Sequence, residues 1–445
     1  MVLNNCLNNI RNFLNFQTPQ KQSGMFRVTV VAFEDKCTIN CGKIFADLLK
    51  RNNLFSVNYF SEPFAKNFLN LQSRNFFDFI DRGKQILSST HSDIIIWGYE
   101  ENNHIRLNFQ IEQQYAIPEA TSFSLLDSLF IPLSYFDNPE KFSEPILLLI
   151  FGIIIAAIRP ITNEQIKNKP QLLKDILALL SSDTSAKDIS VDYMPFIMNM
   201  LGKIYLCNAA PHLTVKDIEI ISNLSETALK NTHLTVNPLY YGGIYNSLGQ
   251  LYETAFNNDN LRSFEYLKSA ISHYQDAHKY YNRNYPYDFG RISYHLALLY
   301  FEYWKHNSDV QALRDAVSRL REAEKVYTYA QFKDSWHQIQ KLLGYYMTTL
   351  GNITGSNEIM HLAIDSYRNQ QTIYLQNVYP MEWSKIQEQI GHVYYLLGKQ
   401  NDDDNFMYEA RNYFNSALEI YTQLKNKEAQ AEVCRRLAKL ENYID

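Results

Sequence analysis

Cysteine is scarce in this chain: Cys6, Cys37, Cys41, Cys207 and Cys434 are five residues, odd in number and mostly far apart among 445. That does not describe a disulfide scaffold and points to a reducing compartment. Long apolar runs are also missing. The amino terminus, MVLNNCLNNIRNFLNF, mixes Asn and Arg among its apolar residues and lacks the unbroken stretch of a signal peptide, which places the protein in the cytoplasm. The longest apolar stretch, Ile146 to Ile158, has 13 residues between Glu144-Pro145 and Arg159-Pro160. A spanning helix needs roughly 20 apolar residues, so a helix buried on all sides is the expectation and membrane contact is disfavoured. Basic charge is not in excess: 42 Lys and Arg stand against 47 Asp and Glu, for a net charge of -5. Such a chain gains no general attraction to nucleic acid, and no basic tract reverses that.

What is present is a large apolar fraction, 46%, and an aromatic fraction of 14% in which Tyr leads with 32 residues. A chain of this length and composition builds two or three cored domains.

From residue 25 to 115 the pattern alternates. Phe26 to Phe33 and Phe55 to Phe60 read as strands, Asn40 to Lys50 and Phe64 to Leu87 as helices, and Asp93 to Gly98 as a short buried strand. His104 to Glu112 alternates polar and apolar residues, which predicts a strand with one wet face, paired to its predecessor through the turn at Glu101-Asn102-Asn103. The sum is a small βαβαββ domain. A strand ending VVAFED, a helix, and then HSDIIIWGYEENNHIRLNFQI resemble the amino-terminal domain of the TolB family and its cytoplasmic relatives. That resemblance implies a small non-catalytic module.

The segment Phe33 to Gly42 joins a strand to a helix, where phosphate sites usually lie. It carries one glycine, matches neither GxGxxG nor GxxxxGK[ST], and opens with Glu34 and Asp35, which repel phosphate. Cys37 and Cys41 lack a second ligand pair nearby in sequence and read as small packing residues rather than metal ligands. Glu34 and Asp35 diverge as neighbours and suit a solvated loop better than an acid and base pair. No catalytic residue, cofactor or metal is expected.

Residues 116 to 237 read as a helical connector, with helices at Ile146 to Ile158, Gln171 to Leu180, Tyr193 to Cys207 and Val215 to Leu229, and prolines near their boundaries. Thr214 and Asp217 have capping-box spacing. Residues 1 to 24 read as a flexible or weakly helical extension.

The strongest signal is a period of 47 residues from 238 onward. Phe289, Trp336 and Trp383 repeat at that spacing, as do Ala297, Gly344 and Gly391, and Ala316, Ala363 and Ala410. One unit earlier Gly249 stands 48 before its counterpart. Each unit reads as two helices, with the small residue marking where the partner helix approaches. Neighbouring hairpins cover one another's apolar sides, which makes an all-α solenoid closed by a capping helix. GHVYYLLG and EARNYFNSALEIY resemble the small, aromatic and Ala positions of tetratricopeptide repeats, and Pro380-Met-Glu-Trp383 is similar to the P-x-x-W opening of the long-loop bacterial variety. This resemblance implies a concave surface for peptides or protein partners and no reaction type.

Candidate partner-binding residues follow from composition. Tyr274, Tyr281, Tyr287 and Tyr294 supply rings with polar tips, and Arg314 and Arg321 offer positive charge to an acidic peptide. Competing with this, half or more of the tyrosines are expected to wedge between helices, and Asp315 is placed to pair with Arg319 in a self-compensated face. The functional expectation is a protein-binding scaffold or adaptor, with homo-oligomerisation compatible. The alternative is a regulator whose amino-terminal domain binds a small ligand or nucleotide.

Overall fold

The computed structural model describes residues 26–34, 40–51, 54–62, 73–101, 103–111, 127–139, 142, 144–158, 163–180, 194–231, 239–281 and 286–444. The expected extension at 1–24, together with Asp35 and Cys37, lies outside them. The chain divides into two compact units, Met1–Ile292 and Ser293–Asp445.

The first unit opens with a sheet. Strand β1 (Phe26–Val31) pairs in parallel with β2 (Phe55–Phe60) on one side and β3 (Ile94–Glu101) on the other. The connections are helix α1 (Cys41–Lys50), whose N-cap Asn40 accepts from the Lys43 amide, and α2 (Ser73–Thr90). As the middle of three parallel strands, β1 is buried along its length except at Arg27, whose guanidinium meets Asp93 at 2.6 Å. β3 turns back into β4 (His104–Gln110), with Asn103 at φ 61 in the turn. The βαβαββ order read from the sequence is therefore present.

The sheet then continues past it. β5 (Ser128–Pro132) pairs antiparallel with β4, giving the order β2-β1-β3-β4-β5. With β5 alongside, β4 is not the half-wet strand its alternation suggested: Arg106, Asn108 and Gln110, on its polar side, are buried. Arg106 lies among the rings of Tyr99, Phe130 and Tyr240, with its carbon centre 5.6 to 5.8 Å from each centroid, and donates to the Tyr99 hydroxyl at 2.9 Å. Tertiary cover thus overrides the alternation, because aromatic faces hold the guanidinium in place of water.

After the short helix α3 (Ser134–Asp137), α4 (Glu144–Ala157) carries the apolar stretch, and its described residues from Leu148 to Ala157, with Ile158 after them, are buried as expected. Phe151 of α4 reaches Phe55 of β2 at 5.3 Å, and sheet and helices share one hydrophobic core that extends to Ile204. Among the described residues no helix is long and apolar enough to cross a membrane. Helix α5 (Asn163–Leu180) departs from the expected start at Gln171 by running through Pro170. The ammonium of Lys169 donates to the carbonyls of Ala156 and Ile158, closing the C-terminus of α4. α6 (Met194–Ala209) and α7 (Val215–Asn231) pack as a pair, and Thr214 and Asp217 exchange the capping-box bonds, backbone N–H to carboxylate at 2.9 Å and backbone N–H to hydroxyl at 3.3 Å.

The remaining helices form hairpins. α8 (Leu239–Asn257) packs on α9 (Phe264–Tyr280) in the first unit; α10 (Pro286–Asn307) crosses the division between the units. In the second unit α11 (Val310–Val326), α12 (Lys333–Thr354), α13 (Asn357–Gln370), α14 (Pro380–Asn401), α15 (Asp404–Gln423) and α16 (Lys427–Ile444) each pack on the next. The 47-residue period is visible as contacts. A Cβ on Gly344 would lie 2.6 Å from the Tyr367 ring, one on Gly391 3.0 Å from Phe414, and one on Gly249 2.6 Å from Tyr274. Each second helix also begins with a capping side chain: Ser263, Asp309, Ser356 and Asp403 accept backbone amides.

Candidate functional site in the helical repeats

Helices α12 and α14 are first helices of neighbouring hairpins, separated by α13, and between them the second unit opens a cavity of about 480 Å³. That volume is within the range of ligand sites. Its wall is built by helical periodicity. His337, Lys341 and Tyr345 recur at four-residue steps on α12; Tyr367 and Gln370 come from the end of α13, and Tyr374 from the turn after it. From α14 come Glu382, Lys385, Ile386, Glu388 and Gln389. On α12 this face lies opposite the buried Ile339 and Leu343, whereas on α14 it adjoins the buried stripe, to which Ile386 belongs together with Ile390 and Val393.

The interior is aromatic. Tyr374 stands edge-on to His337 with centroids 4.4 Å apart and edge-on to Tyr379 at 5.5 Å. Tyr367 is buried over Gly344. At the mouth Tyr345, half exposed, is braced by Phe301 at 5.3 Å. Gln340 donates to Glu324 and accepts from Asn369 at 3.1 Å, and Arg321 holds the same Glu324 at 2.8 Å, so one hydrogen-bond chain ties α11, α12 and α13 together behind the cavity.

Charge is sorted between interior and rim. Burial, with Lys341 adding to it, lowers the His337 pKa to about 4, so its imidazole is neutral near pH 7. Burial raises the phenols of Tyr367 and Tyr374, which stay protonated. Glu388 is neutralised from behind by Arg436 at 3.2 Å and accepts from the Tyr421 hydroxyl at 3.2 Å. On the rim Lys341 and Lys385 are exposed and, among the described residues, neither makes an ion pair. Two buried polar atoms belonging to lining residues have no hydrogen-bond partner: Gln370 Nε2 and His337 Nδ1.

The residues chosen from the sequence as partner-binding sit elsewhere. Tyr274, Tyr281 and Tyr287 are buried in the first unit. Tyr274 donates to Glu253 at 2.6 Å, and the Tyr281 ring packs on Gly242. They are the wedged kind of tyrosine and present no ring to solvent. Tyr294 is half-buried beside His295. Arg314 is exposed, while Arg321 is held by Glu324. Asp315 accepts from Gln311 at 3.0 Å rather than from Arg319, which takes Glu322 at 2.8 Å. The repeat positions Phe289, Trp336 and Trp383 are partly buried, and Ala297, Ala316, Ala363 and Ala410 fully so. Apart from Ile386, which reads from the sequence as part of a buried stripe, the cavity residues were not singled out; the signal on α12 is the polar and aromatic run His337, Lys341 and Tyr345 at four-residue steps.

Two further places were candidates for chemistry. In the sheet, the order places a switch point between β1 and β3, where open α/β sheets receive ligands. There the backbone of Glu34 bridges to Tyr99, accepting from the Glu100 amide and donating to Gly98, each at 2.9 Å, and this extends the β1–β3 pairing across the crevice. In the core of the first unit Arg106, Lys203 and Arg291 are buried together with Asp127, Glu253 and Asp288. Lys203 is bonded to Asp127, and Arg291 donates to Asn246 at 2.8 Å. Three cations balance three anions, which suits a structural network more than a ligand site. Among the described residues no three His, Cys, Asp or Glu side chains gather as a metal site.

No family model matches the chain, and no curated protein matches it. Its class is defined by the fold alone: a small amino-terminal α/β domain followed by helix pairs packed as repeat hairpins.

Proposed function

We propose that this chain is a non-catalytic protein-binding scaffold or adaptor, and that the groove between α12 and α14 takes an extended segment of a protein partner. The observation that carries this reading is the cavity of about 480 Å³ with aromatic walls and two exposed, unpaired lysines on its rim. Aromatic rings braced by neighbours contribute contact area at small conformational cost, and rim charge selects partners and steers encounter. The 47-residue register, the small residue at Gly344 and Gly391 and the Pro380-Met-Glu-Trp383 opening support membership of the long-loop tetratricopeptide class, whose solenoids bind peptides. In the same reading residues 25 to 115 begin a TolB-like module whose sheet is completed by β5 from the 116 to 237 segment, the helices of that segment join it to the repeats, and 238 to 445 are the repeat domain, in a cytoplasmic protein. Tyr294 and Arg314 extend the contact surface for larger partners.

The test is selection of a random peptide library on the full chain, repeated on the Lys341→Glu, Lys385→Glu double variant. Both lysines are exposed, so the variant keeps its fold. Enrichment of a defined motif that the double variant loses supports the groove; no enrichment, or a motif indifferent to the variant, overturns it.

A further inference from the structure

The first unit carries a second surface, separate from the groove, built on a ladder of rings. Side chains from α8 and α9 alternate in the order Tyr241, Tyr280, Tyr245, His273, Tyr252, Tyr266, with successive centroids 5.4 to 6.2 Å apart and planes within 29° of parallel. All six are partly exposed. Seven-residue steps, from Tyr245 to Tyr252 and from Tyr266 through His273 to Tyr280, keep the rings of each helix on one face.

The end of this ladder recurs in the hairpin of α14 and α15. Tyr252 follows Gly249 by three residues, as Tyr394 follows Gly391; His273 and Tyr413 each stand ten residues past their caps, Ser263 and Asp403. Tyr394 stacks on Tyr413 at 5.4 Å, the distance at which Tyr252 stacks on His273. There a guanidinium completes the arrangement: Arg368, from the preceding second helix α13, donates to the hydroxyls of Tyr394 and Tyr413 at 3.3 Å each. One hairpin earlier Arg321 of α11 meets the sulfur of Met347, the counterpart of Tyr394, at 3.7 Å. Both arginines stand twelve residues past their caps, Asp309 and Ser356. The residue twelve past Thr214, the cap of α7, is Glu226. The hairpin of α8 and α9 thus keeps the ring pair and has a carboxylate where the later hairpins have a guanidinium.

Glu226 acts on both rings. Burial raises the Tyr252 phenol and Glu226 adds to it; burial lowers the His273 imidazole, which is neutral near pH 7, while Asp276 and Glu226 oppose that shift. Glu226 is exposed and, among the described residues, makes no ion pair. Other charges on the three helices are engaged nearby: Asp276 with Lys279 at 2.7 Å, Glu265 with Lys268 at 2.6 Å, and the buried Glu253 with the Tyr274 hydroxyl. Arg262, between α8 and α9, lies over the Phe256 ring at 4.7 Å. On α7 Glu219, seven residues before Glu226 and so on the same side of the helix, is a second exposed carboxylate, and Lys230, one turn after Glu226, makes no ion pair with it.

We propose that Glu226, Tyr252 and His273 form a site for an arginine side chain on a basic segment of a partner protein. An incoming guanidinium supplies from outside what Arg368 supplies within the chain: a planar fork of N–H groups that serves a phenol oxygen and a carboxylate together, and a flat cation beside parallel rings. An ammonium, a compact point charge, serves the same groups less well. Glu219 extends the acidic side of the site along α7 for a further basic residue of the segment.

The experiment titrates the full chain into two fluorescein-labelled peptides, one alternating Arg and Gly and the other Lys and Gly at equal length, and follows anisotropy at physiological ionic strength. The Arg peptide is expected to bind about fivefold or more tighter than the Lys peptide. Glu226→Gln weakens the Arg peptide about threefold, the scale of one exposed charge pair. Glu226→Arg, which recreates the arrangement of Arg368, weakens it about tenfold or more and removes the preference for Arg. Position 226 is exposed, so both variants keep the fold, and a circular dichroism melt checks that they do. Glu428→Arg, an exposed site on α16, makes the same change in net charge and is expected to leave binding unaltered. Equal affinity for the two peptides, equal losses in Glu226→Arg and Glu428→Arg, or an Arg preference that survives Glu226→Arg each overturn the site, as does a chain that binds neither peptide. None of these outcomes bears on the groove, whose test uses different peptides and different variants.

Discussion

The ring of Tyr367 lies against the backbone of Gly344 so closely that a Cβ on Gly344 would sit 2.6 Å from Cε1 and 2.8 Å from Cδ1. The same pairing recurs 47 residues on, where Phe414 lies against Gly391. In the hairpin before them the equivalent positions hold Ala297 and Leu320, both buried. Where the second helix brings an aromatic ring the first helix gives up its Cβ; where it brings Leu the first helix keeps one.

Gly344→Ala therefore destabilises the second unit. The clash costs about 1–3 kcal/mol, against about 1 kcal/mol returned by the higher helix propensity of Ala. Gly391→Ala, whose closest ring contact is 3.0 Å, loses less. Adding Tyr367→Leu to Gly344→Ala recreates the Ala297 and Leu320 pair, and the double variant is more stable than the two single effects sum to. Urea denaturation of the four proteins measures the coupling.

The pairing also shows what was legible in the sequence. The period of 47 and the small residues within it set out the hairpins, because a repeated close approach leaves a repeated small side chain. The sheet strands from Phe26 to Gln110 were legible from their alternation and apolar runs. β5 was not: five residues, SLFIP, have no period of their own, and their strand state comes from pairing with β4. The burial of Arg106 was hidden for the same reason, since Tyr240 covers it from a helix 134 residues away in sequence. The repeated Ser or Asp cap of the second helices was a usable signal that sharpens the register. Of the tyrosines chosen for the site, Tyr274, Tyr281 and Tyr287 lie on buried faces, because a count of rings does not say which face of a helix they occupy.

Lys203 and Asp127 form an ion pair with both side chains at most 3% exposed. Burial lowers the Lys203 pKa, and Asp127 opposes that by attraction. Lys203→Met leaves Asp127 buried without its cation and costs about 3–5 kcal/mol. The double variant Lys203→Met, Asp127→Leu recovers most of the loss, which thermal unfolding of the three proteins reads directly. A double variant no more stable than Lys203→Met would show instead that the pair's neighbours depend on it.

His337 and His392 both have pKa values lowered to about 4, chiefly by burial, with Lys341 and Arg436 respectively adding to it. Their unfolded values lie near ~6.5. Between those limits the unfolded chain binds more protons, so the stability they contribute is intact above about pH 6.5 and declines as pH falls toward 4. His392→Gln flattens the fall by up to about one proton, measured as the slope of unfolding free energy against pH.

Arg106→Lys keeps the charge but loses the guanidinium's contact with the rings of Phe130 and Tyr240 and the directed bond to Tyr99. A loss of about 1–2 kcal/mol is expected, the scale of desolvated cation–π contacts, with Phe130→Leu partly additive to it. A midpoint in urea unchanged by Arg106→Lys would mean that the rings, rather than the guanidinium, hold this side of the sheet.

The central claim is that the partner occupies the groove between α12 and α14. Hydrogen–deuterium exchange of the full chain, with and without a library-selected peptide at saturation, tests it most directly. The account predicts slowed exchange in residues 333–345, 367–374 and 380–390, with the 26–132 sheet unchanged. Protection confined to the sheet, or absent from those three segments, would contradict it.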